Sequence, residues 1–439
     1  MTWHKLAFCL LLPAAAHCQQ ASLDRILEQV DLLKKENQRL NQQLDALRQQ
    51  VVELKAANTG AVATAEKLDV VSQRIEDLDN SKVEADQKFP VKLSGLVLMN
   101  SYYYAGHTGG AELPLVSQLS SSQGAGGGTF RNTQLAFAYT GPKVLGAQVA
   151  GRLQLDFFGG SLNIQNHLAR IRTADVSLHW ASRSLTFAVD KPIFNPREPD
   201  SLSQLGVPLL ANSGNLWLWQ PQLRYEERVK FTENAGIRAR IGVYQTNDSL
   251  AAVPAGVRLS PSRPALQGRV EFFHGPMGGR RYEIAPGFHV SNSLVAGASV
   301  ASYAVSVDWL ARIAPRVDWT GFAFTGQNLT GLGVAGLRQA FAFRQGRPFA
   351  VRGRGGWMQT TFHATSRWDV NLIAGMQDDF NRDVAANGVA RNLSYAANLR
   401  FRLTSNVVLG PEIMQIRTTW RQSGVQLINR YDLALGYLF

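Results

Sequence analysis

Apolar and polar residues alternate with a period of two, in short segments, over residues 91–439. In the last segment Tyr431 and Leu433 lie on one face, and Arg430 and Asp432 lie on the other. A strand of a soluble sandwich can alternate in this way, but so does a strand with one side in lipid and the other in a wet lumen. The number of such segments and their aromatic residues favour the transmembrane strand.

Short turns alternate with longer breaks between these segments, as in outer-membrane barrels with tight periplasmic turns and long outer loops. We count about sixteen segments, an even number that returns both chain ends to the periplasm. The sequence therefore predicts an all-β transmembrane antiparallel β-barrel of about 16 strands at residues 89–439. Tyr102, Tyr103 and Tyr104 are candidates for its aromatic belt, and the final Phe439 suits a last barrel strand.

The longest interior break runs from residue 191 to residue 221 and contains five prolines and no strand pattern. This length is abnormal for a turn, so we expect a loop that folds into the lumen as a constriction. Trp217 and Trp219 are expected to pack the loop against the barrel wall. A barrel of this size should otherwise enclose an aqueous channel.

Residues 19–88 follow a helical period instead. Between Leu23 and Leu54 the seam residues are spaced alternately three and four apart, with Asn37 as the polar residue among them. This heptad pattern predicts an N-terminal α-helical coiled coil, which we place in the periplasm, ahead of the barrel. Val at the a positions with Leu at d favours a dimer, whereas the barrel favours a trimer, and we give the barrel more weight.

Residues 1–18 have the features of a signal peptide, with an apolar stretch at residues 6–12 and small residues before Cys18. Cleavage after Ala16 and cleavage after Cys18 both fit. Cys9 and Cys18 are the only cysteines, so the mature body has no disulfide framework. We therefore expect a protein of the Gram-negative outer membrane.

The formal net charge is +12 at pH 7, with arginine far more frequent than lysine. A basic excess usually indicates nucleic acid or an anionic surface, but the export signal argues against nucleic acid. In a barrel the charge must lie in the lumen, the loops or the periplasmic side, because the lipid band excludes it.

The period-two pattern turns a set of arginines toward the lumen, and these are the predicted functional residues. Fixed positive charge favours anions over cations, and the guanidinium fork matches carboxylate and phosphate oxygens. We expect Arg152, Arg224, Arg228, Arg238 and Arg240, with Arg197 on the inserted loop, to form a constriction. Each of these arginines could instead pair with a neighbouring acid and only stabilise the barrel wall. Glu226 and Glu271 are the acids most able to neutralise Arg228 and Arg269. The predicted pore-lining residues are Arg152, Arg224, Arg228, Arg238, Arg240, Arg197, Arg269, Arg281, Arg400 and Arg402.

The whole pattern resembles the DcaP-like family of trimeric outer-membrane porins. The matching stretches are residues 92–96, 355–359, 375–380, 392–395 and 410–413. This resemblance implies a homotrimer in outer-membrane lipid, an N-terminal periplasmic coiled coil, and uptake of small anionic solutes such as dicarboxylates. Phosphate-selective porins share a similar plan and remain an alternative.

Other functions have less support in the sequence. His179, His289 and His363 lie on separate strands without a nucleophile motif, so we expect no enzyme, and a barrel esterase is a minor alternative. No Cys/His spacing for a metal occurs, and no cofactor is expected. The coiled coil could tether the barrel to the cell wall or to a periplasmic partner, but the inserted loop and the arginines argue against a mere anchor.

Overall fold

The computed structural model describes residues 39 and 42 and residues 91–439, except 112, 121–123, 161–166, 205, 250, 252, 254, 261, 277–280 and 334–339. The predicted signal peptide and nearly all of the predicted coiled coil lie outside these residues. Arg39 and Gln42 are helical. One compact unit spans Pro90–Phe439.

The elements of this unit are antiparallel strands and one short 3₁₀ turn, Thr330–Leu332. The strands are β1 (Val91–Gly106), β2 (Ala125–Thr129), β3 (Gln134–Val144), β4 (Ala147–Gly159), β5 (Leu168–His179), β6 (Arg183–Asp190), β7 (Gln220–Thr232), β8 (Ala235–Asn247), β9 (Ser262–His274), β10 (Tyr282–Val295), β11 (Ala298–Ala314), β12 (Val317–Gln327), β13 (Phe341–Arg344), β14 (Arg347–Ala350), β15 (Arg352–His363), β16 (Trp368–Asp379), β17 (Val389–Arg402), β18 (Val407–Trp420) and β19 (Gly424–Leu438).

Within the described residues, seventeen strands form one sheet, and β1 pairs with β19 to close it. β2 and β3 both pair with β1, at successive levels, so they act as one interrupted strand. The result is a closed antiparallel barrel of sixteen strand positions, as the sequence predicts. The hairpin β13–β14 is a separate two-stranded sheet.

The two ends of the barrel differ, and we name them by their connections. The turn end carries short connections, such as Leu145–Gly146 between β3 and β4. The loop end carries the long ones, including the connection between β12 and β15 that contains the hairpin. Two connections at the loop end are short as well: Ala296–Gly297 between β10 and β11, and residues 421–423 between β18 and β19. This asymmetry matches the one predicted.

The outer face is apolar over the middle of the barrel, and its exposed side chains include Val305, Leu372, Tyr395 and Leu433. Tyr103 belongs to this face, is half exposed and stacks on Tyr431. Tyr102 and Tyr104 face inward and stack on each other, so only one of the three tyrosines fits the predicted belt. In the described part of the chain, no helix is long and apolar enough to cross a membrane.

Residues 191–219, here called the lumen loop, lie inside the barrel. Phe194, Leu209, Leu210 and Leu216 of this loop are buried in one apolar cluster with inward-facing wall residues. The wall residues of that cluster include Phe322, Trp357, Ile373 and Ile416. The predicted insertion of this loop is therefore confirmed, and part of the interior is packed rather than open.

Glycine occupies two positions where the backbone of the lumen loop lies very close to the backbone of the wall. A Cβ on Gly375 of β16 would lie 2.3 Å from the carbonyl oxygen of Ser213. Gly214 has a φ of +95°, which a side chain rarely tolerates, and its own Cβ would lie 2.2 Å from the carbonyl oxygen of Gly356. The loop can lie flat on this wall because neither surface carries a side chain there.

The composition of residues 106–129 and of residues 327–355 predicts two long loops, and both predictions are wrong in part. The stretch from Gly106 to Thr129, expected to be all loop, ends in β2, which pairs with β1. The stretch from Gln327 to about Gly355 contains β13, β14 and the start of β15. These strands were not predicted because the composition of the two stretches, rich in glycine or arginine, is typical of loops.

Candidate functional site: the charged wall of the lumen

The inward faces of β7, β8 and β9 place arginines directly opposite one another. In the strand register Arg228 faces Arg238, and Arg240 faces Arg269. Like charges in directly opposed positions destabilise a sheet unless other groups compensate them. This stretch of wall therefore depends on the carboxylates placed diagonally between the arginines.

Glu226 is the carboxylate at the centre of this arrangement. Its oxygens lie 3.6 Å from the Arg228 guanidinium, 3.7 Å from that of Arg238 and 2.5 Å from that of Arg240. Arg238 also lies 3.5 Å from Glu271. One carboxylate thus serves three arginines, and the group retains positive charge.

Arg269 is the most deeply placed cation of the wall, with its side chain 1% exposed. Its Nε and Nη2 donate to both oxygens of Asp308, at 2.7 and 2.8 Å, and its Nη1 lies 2.8 Å from Glu271. Such a bidentate pair fixes the guanidinium plane. Arg269 is therefore scaffolding between β9 and β11, as the alternative interpretation of the sequence allowed.

Arg197 joins the lumen loop to the same wall. Its Nε donates to Asp308 Oδ1 at 2.6 Å, and its Nη2 donates to Glu283. Arg281 donates to the other oxygen of Glu283. Asp308 and Glu283 therefore each hold one arginine of the loop and one of the barrel, which ties the loop to β10 and β11.

The arginines and carboxylates of these ion pairs together form what we call the charged wall. Among the described residues it contains seven arginines and five carboxylates, with Arg224 paired to Asp190 at 2.8 Å. Its members are Arg197, Arg224, Arg228, Arg238, Arg240, Arg269 and Arg281 with Asp190, Glu226, Glu271, Glu283 and Asp308.

Three predicted residues lie elsewhere on the lumen surface. Arg152 on β4 is exposed and faces Asp175 across the β4–β5 pair. Arg400 lies 3.7 Å from Asp200 of the lumen loop, and Arg402 lies 3.0 Å from Asp369 near the turn end. The predicted arginines therefore line different parts of the lumen, and Arg152 is not placed with the charged wall.

A second part of the interior is neutral, and we call it the amide wall. It consists of Gln359 on β15, Asn371 on β16, and Asn392, Ser394 and Asn398 on β17, all buried. Asn392 Nδ2 donates to the carbonyl oxygen of Asn212 at 3.0 Å, and Ser394 Oγ lies 2.7 Å from Ser213 Oγ. Gln359 Oε1 accepts from the backbone N–H of Asp200 at 2.7 Å. The amide wall is thus the seat of the lumen loop.

Another arginine group, which the alternation pattern does not reveal, lies beside the end of the lumen loop. Arg170 binds Asp156 at 2.7 Å, Arg131 lies over the Phe158 ring, and Arg172 lies over the Trp219 ring at 4.5 Å. Trp219 therefore does pack the loop against the wall, as expected.

A bulge hid this group from the alternation pattern. In the register of β4 and β5, Gln154 faces Thr173 but Leu155 faces Ile171, so Arg172 is the extra residue. An extra residue resets which side chains face inward. The signal available in the sequence was the apolar Ile171 between Arg170 and Arg172. In the structure its side chain is exposed on the outer face.

Comparison with solved structures identifies the fold. The outer membrane channel DcaP of Acinetobacter baumannii superposes with a TM-score of 0.66 at 16% identity, over 80% of this chain and 97% of that chain. The fold is that of the DcaP channel. An anion-selective porin from Comamonas acidovorans matches with a TM-score of 0.55 at 12% identity, over 80% of this chain and 99% of that chain.

The resemblance to DcaP expected from the sequence is thus confirmed at the level of the fold. Searches against family models and against curated protein sequences found no match. In the described part of the chain, no group of three or more His, Cys, Asp or Glu side chains is placed to hold a metal ion.

Proposed function

We propose that the protein is an outer-membrane porin that passes small anionic solutes by diffusion, with the charged wall as its selectivity element. Dicarboxylate-sized anions are the expected solutes. The fold shared with DcaP and with an anion-selective porin supports a porin. The charged wall supports the sign of the selectivity.

The observation that carries this proposal is the difference in exposure within the ion pairs. The side chain of Arg228 is 42% exposed against 17% for Glu226. Arg238 is 20% exposed against 3% for Glu271, and Arg197 is 18% exposed against 0% for Asp308. Three pairs depart from this trend: Arg224 with Asp190 at 23% against 30%, Arg281 with Glu283 at 9% against 10%, and Arg269 with Glu271 at 1% against 3%. Along most of this wall the guanidinium groups face the lumen and the carboxylates lie behind them.

This arrangement makes the lumen surface more positive than a count of ion pairs suggests. Coulomb energy falls with distance and with the polarity of the medium, so a solute in the lumen senses the nearer, exposed charge most strongly. Rings or rows of such cations lower the barrier for anions and raise it for cations. Each guanidinium also offers donors that fit a carboxylate.

The remaining parts of the proposal concern the assembly. We propose a homotrimer in the bacterial outer membrane, with the turn end and the predicted coiled coil in the periplasm. The placement of short connections at one end of the barrel supports this orientation. The coiled coil would also be available to the cell wall or to a periplasmic partner.

The test is the reversal potential of a planar bilayer that holds the purified protein in a potassium chloride gradient. We expect anion preference. In the variant Arg224→Gln/Arg228→Gln/Arg240→Gln, the potential should move toward zero, because three exposed lumen cations are removed.

The matched control is Arg258→Gln/Arg316→Gln/Arg367→Gln, which removes three exposed arginines from the connections between strands. It should keep the selectivity of the parent. Cation preference in the parent protein would overturn the proposal. Equal shifts of the reversal potential in both variants would mean that the net charge of the protein, and not the charged wall, sets the selectivity.

Phosphate serves as the second solute in the same experiment. If phosphate blocks chloride current at much lower concentration than succinate does, the protein is a phosphate-selective porin rather than a dicarboxylate one. If the protein forms no channel, the tether or the esterase becomes the better proposal.

A further inference from the structure

The hairpin β13–β14 at the loop end carries two arginines with unfavourable placement. Arg344 and Arg347 face each other across the hairpin and flank the turn Gln345–Gly346, whose φ angles are +48° and +76°. Both arginine residues are exposed. Like charges in opposed positions destabilise a hairpin, so an anion bound between them would stabilise this tip.

A row of polar residues runs beside the hairpin on the outer face of the barrel. Tyr303, Gln327 and Arg352 are consecutive partners in the register of β11, β12 and β15. Tyr303 is half exposed and faces outward, so the row faces outward as well. Arg354, two residues after Arg352 on the same face, is 63% exposed.

The carboxylates of this surface are fewer than its arginines and more deeply placed. Asp383 binds Arg352 at 2.7 Å, and its side chain is 3% exposed. Asp378 serves both Arg354, at 3.1 Å, and Arg391, at 2.9 Å. Together with the hairpin tip, the surface has five arginines against two carboxylates among the described residues.

A cleft of about 520 Å³ lies between the hairpin and the barrel. It is lined by Arg344, Arg347, Arg352, Phe349 and Tyr303. Arg344 lies over the Phe349 ring at 4.3 Å, which holds its guanidinium at the cleft wall. The cleft therefore combines cationic groups with aromatic surface.

The apolar band of the barrel begins directly below this cleft. Val305 follows Tyr303 on the outward face of β11, and Met358 follows Arg354 by two outward positions on β15. Both side chains are more than half exposed. A molecule with a charged head and apolar tails could occupy the cleft and the band together.

We propose that this cleft binds the phosphate of an anionic glycolipid headgroup in the outer leaflet, with the acyl chains along β11 and β15. In a barrel whose short turns face the periplasm, the loop end lies at the level of that leaflet. Arginine is suited to phosphate because its donors match two oxygens at once. The site is separate from the lumen and does not depend on the proposed anion selectivity.

The probe is a bisphosphorylated lipid A-type glycolipid, added to the delipidated full-length protein in neutral detergent. Bound glycolipid is measured by native mass spectrometry. The variant Arg344→Gln/Arg347→Gln should bind at least about tenfold more weakly, since it loses charge-assisted hydrogen bonds to phosphate. The control Arg316→Gln/Arg367→Gln removes the same charge at the turn end and should bind like the parent.

Three outcomes would overturn the proposal. The first is equal binding by the hairpin variant and the parent, and the second is equal binding of the dephosphorylated glycolipid. The third is displacement of the glycolipid by millimolar inorganic phosphate, which would indicate a site for free anions. A change of oligomeric state in the hairpin variant without loss of glycolipid would assign the cleft to contact with a second copy.

Discussion

The charged wall and the amide wall face the same lumen but use their polar groups differently. Asn392 and Ser394 of the amide wall are fully buried, and each makes a hydrogen bond to the lumen loop. Arg228, Arg238 and Arg240 of the charged wall remain partly exposed. The neutral side of the interior thus holds the loop at Asp200, Asn212 and Ser213. The charged side holds it through Arg197 and also presents partly exposed arginines to the lumen.

This difference follows from the energetics of burial. A neutral amide under the loop needs only its hydrogen bonds to be satisfied, whereas a buried charge must also recover its large desolvation cost. Buried arginines such as Arg269 and Arg430 recover that cost through carboxylate partners. Arg228, Arg238 and Arg240 instead stay partly exposed, and they are the charges that can act on an anion in the lumen.

The largest expected effect is the loss of a buried carboxylate from the charged wall. Asp308→Asn removes the partner of both Arg269 and Arg197, and should destabilise the barrel by about 3–5 kcal/mol. The urea midpoint of unfolding, followed by tryptophan fluorescence, measures this change.

The matched control for that variant is Asp190→Asn, because the Asp190–Arg224 pair is partly exposed. It should cost no more than about 1 kcal/mol. Equal losses in the two variants would show that burial does not distinguish the ion pairs of this wall.

The next effect concerns the contact between the lumen loop and the barrel wall at Gly375. Gly375→Leu places a side chain where the Ser213 carbonyl oxygen lies, so the loop must move off the wall, at a cost of about 1–3 kcal/mol. The distribution of single-channel conductance should broaden. Ala374→Leu adds a similar side chain to the outer face of the same strand and should leave conductance unchanged.

A smaller effect is expected from one hydrogen bond of the amide wall. Ser394→Ala removes one of the two side-chain partners of Ser213 Oγ, leaving Asn392, and should cost about 1 kcal/mol, with selectivity unchanged. Unfolding in urea and the reversal potential check the two parts of this prediction. A shift in selectivity would mean that the amide wall also acts on the solute.

The smallest effect on stability should come from Arg152, which lies apart from both walls. Arg152→Gln should change the free energy of unfolding by less than about 0.5 kcal/mol, because the residue is exposed. It should move the reversal potential slightly toward zero. A shift as large as that of the triple charged-wall variant would place the solute path along β4 instead of β7 and β8.

The barrel could be predicted because period-two alternation depends on each strand alone. Arg224, Arg238 and Arg269 were assigned to the inner face from that pattern, and they lie there. The alternation predicts strand starts near Gly356, Arg367, Arg391, Asn406 and Gln426, and β15 to β19 begin within four residues of those positions.

Two pairs within one strand, Glu226 with Arg228 and Glu271 with Arg269, were predicted from the alternation and are confirmed. The pairs between strands could not be predicted in the same way, because they depend on strand register. Arg240 faces Arg269 only because β8 and β9 pair at that offset. The bulge at Arg172 and the pairing of Arg197 with Asp308 across 111 residues leave no local pattern either. Exposure of each arginine, which decides its proposed role, follows from the same long-range contacts.

The seat of the lumen loop also has a consequence for how the barrel is assembled. The loop is made after β6, yet Ser213 meets Ser394, which is 181 residues later, and Ser201 meets Glu412, which is 211 residues later. Contacts so distant in the chain form only after long segments have been brought together. We therefore expect the contacts of the lumen loop with the barrel to be completed last, after the C-terminal strands are in place. On the proposed function, a barrel stopped earlier in its assembly would form a wide and unselective channel.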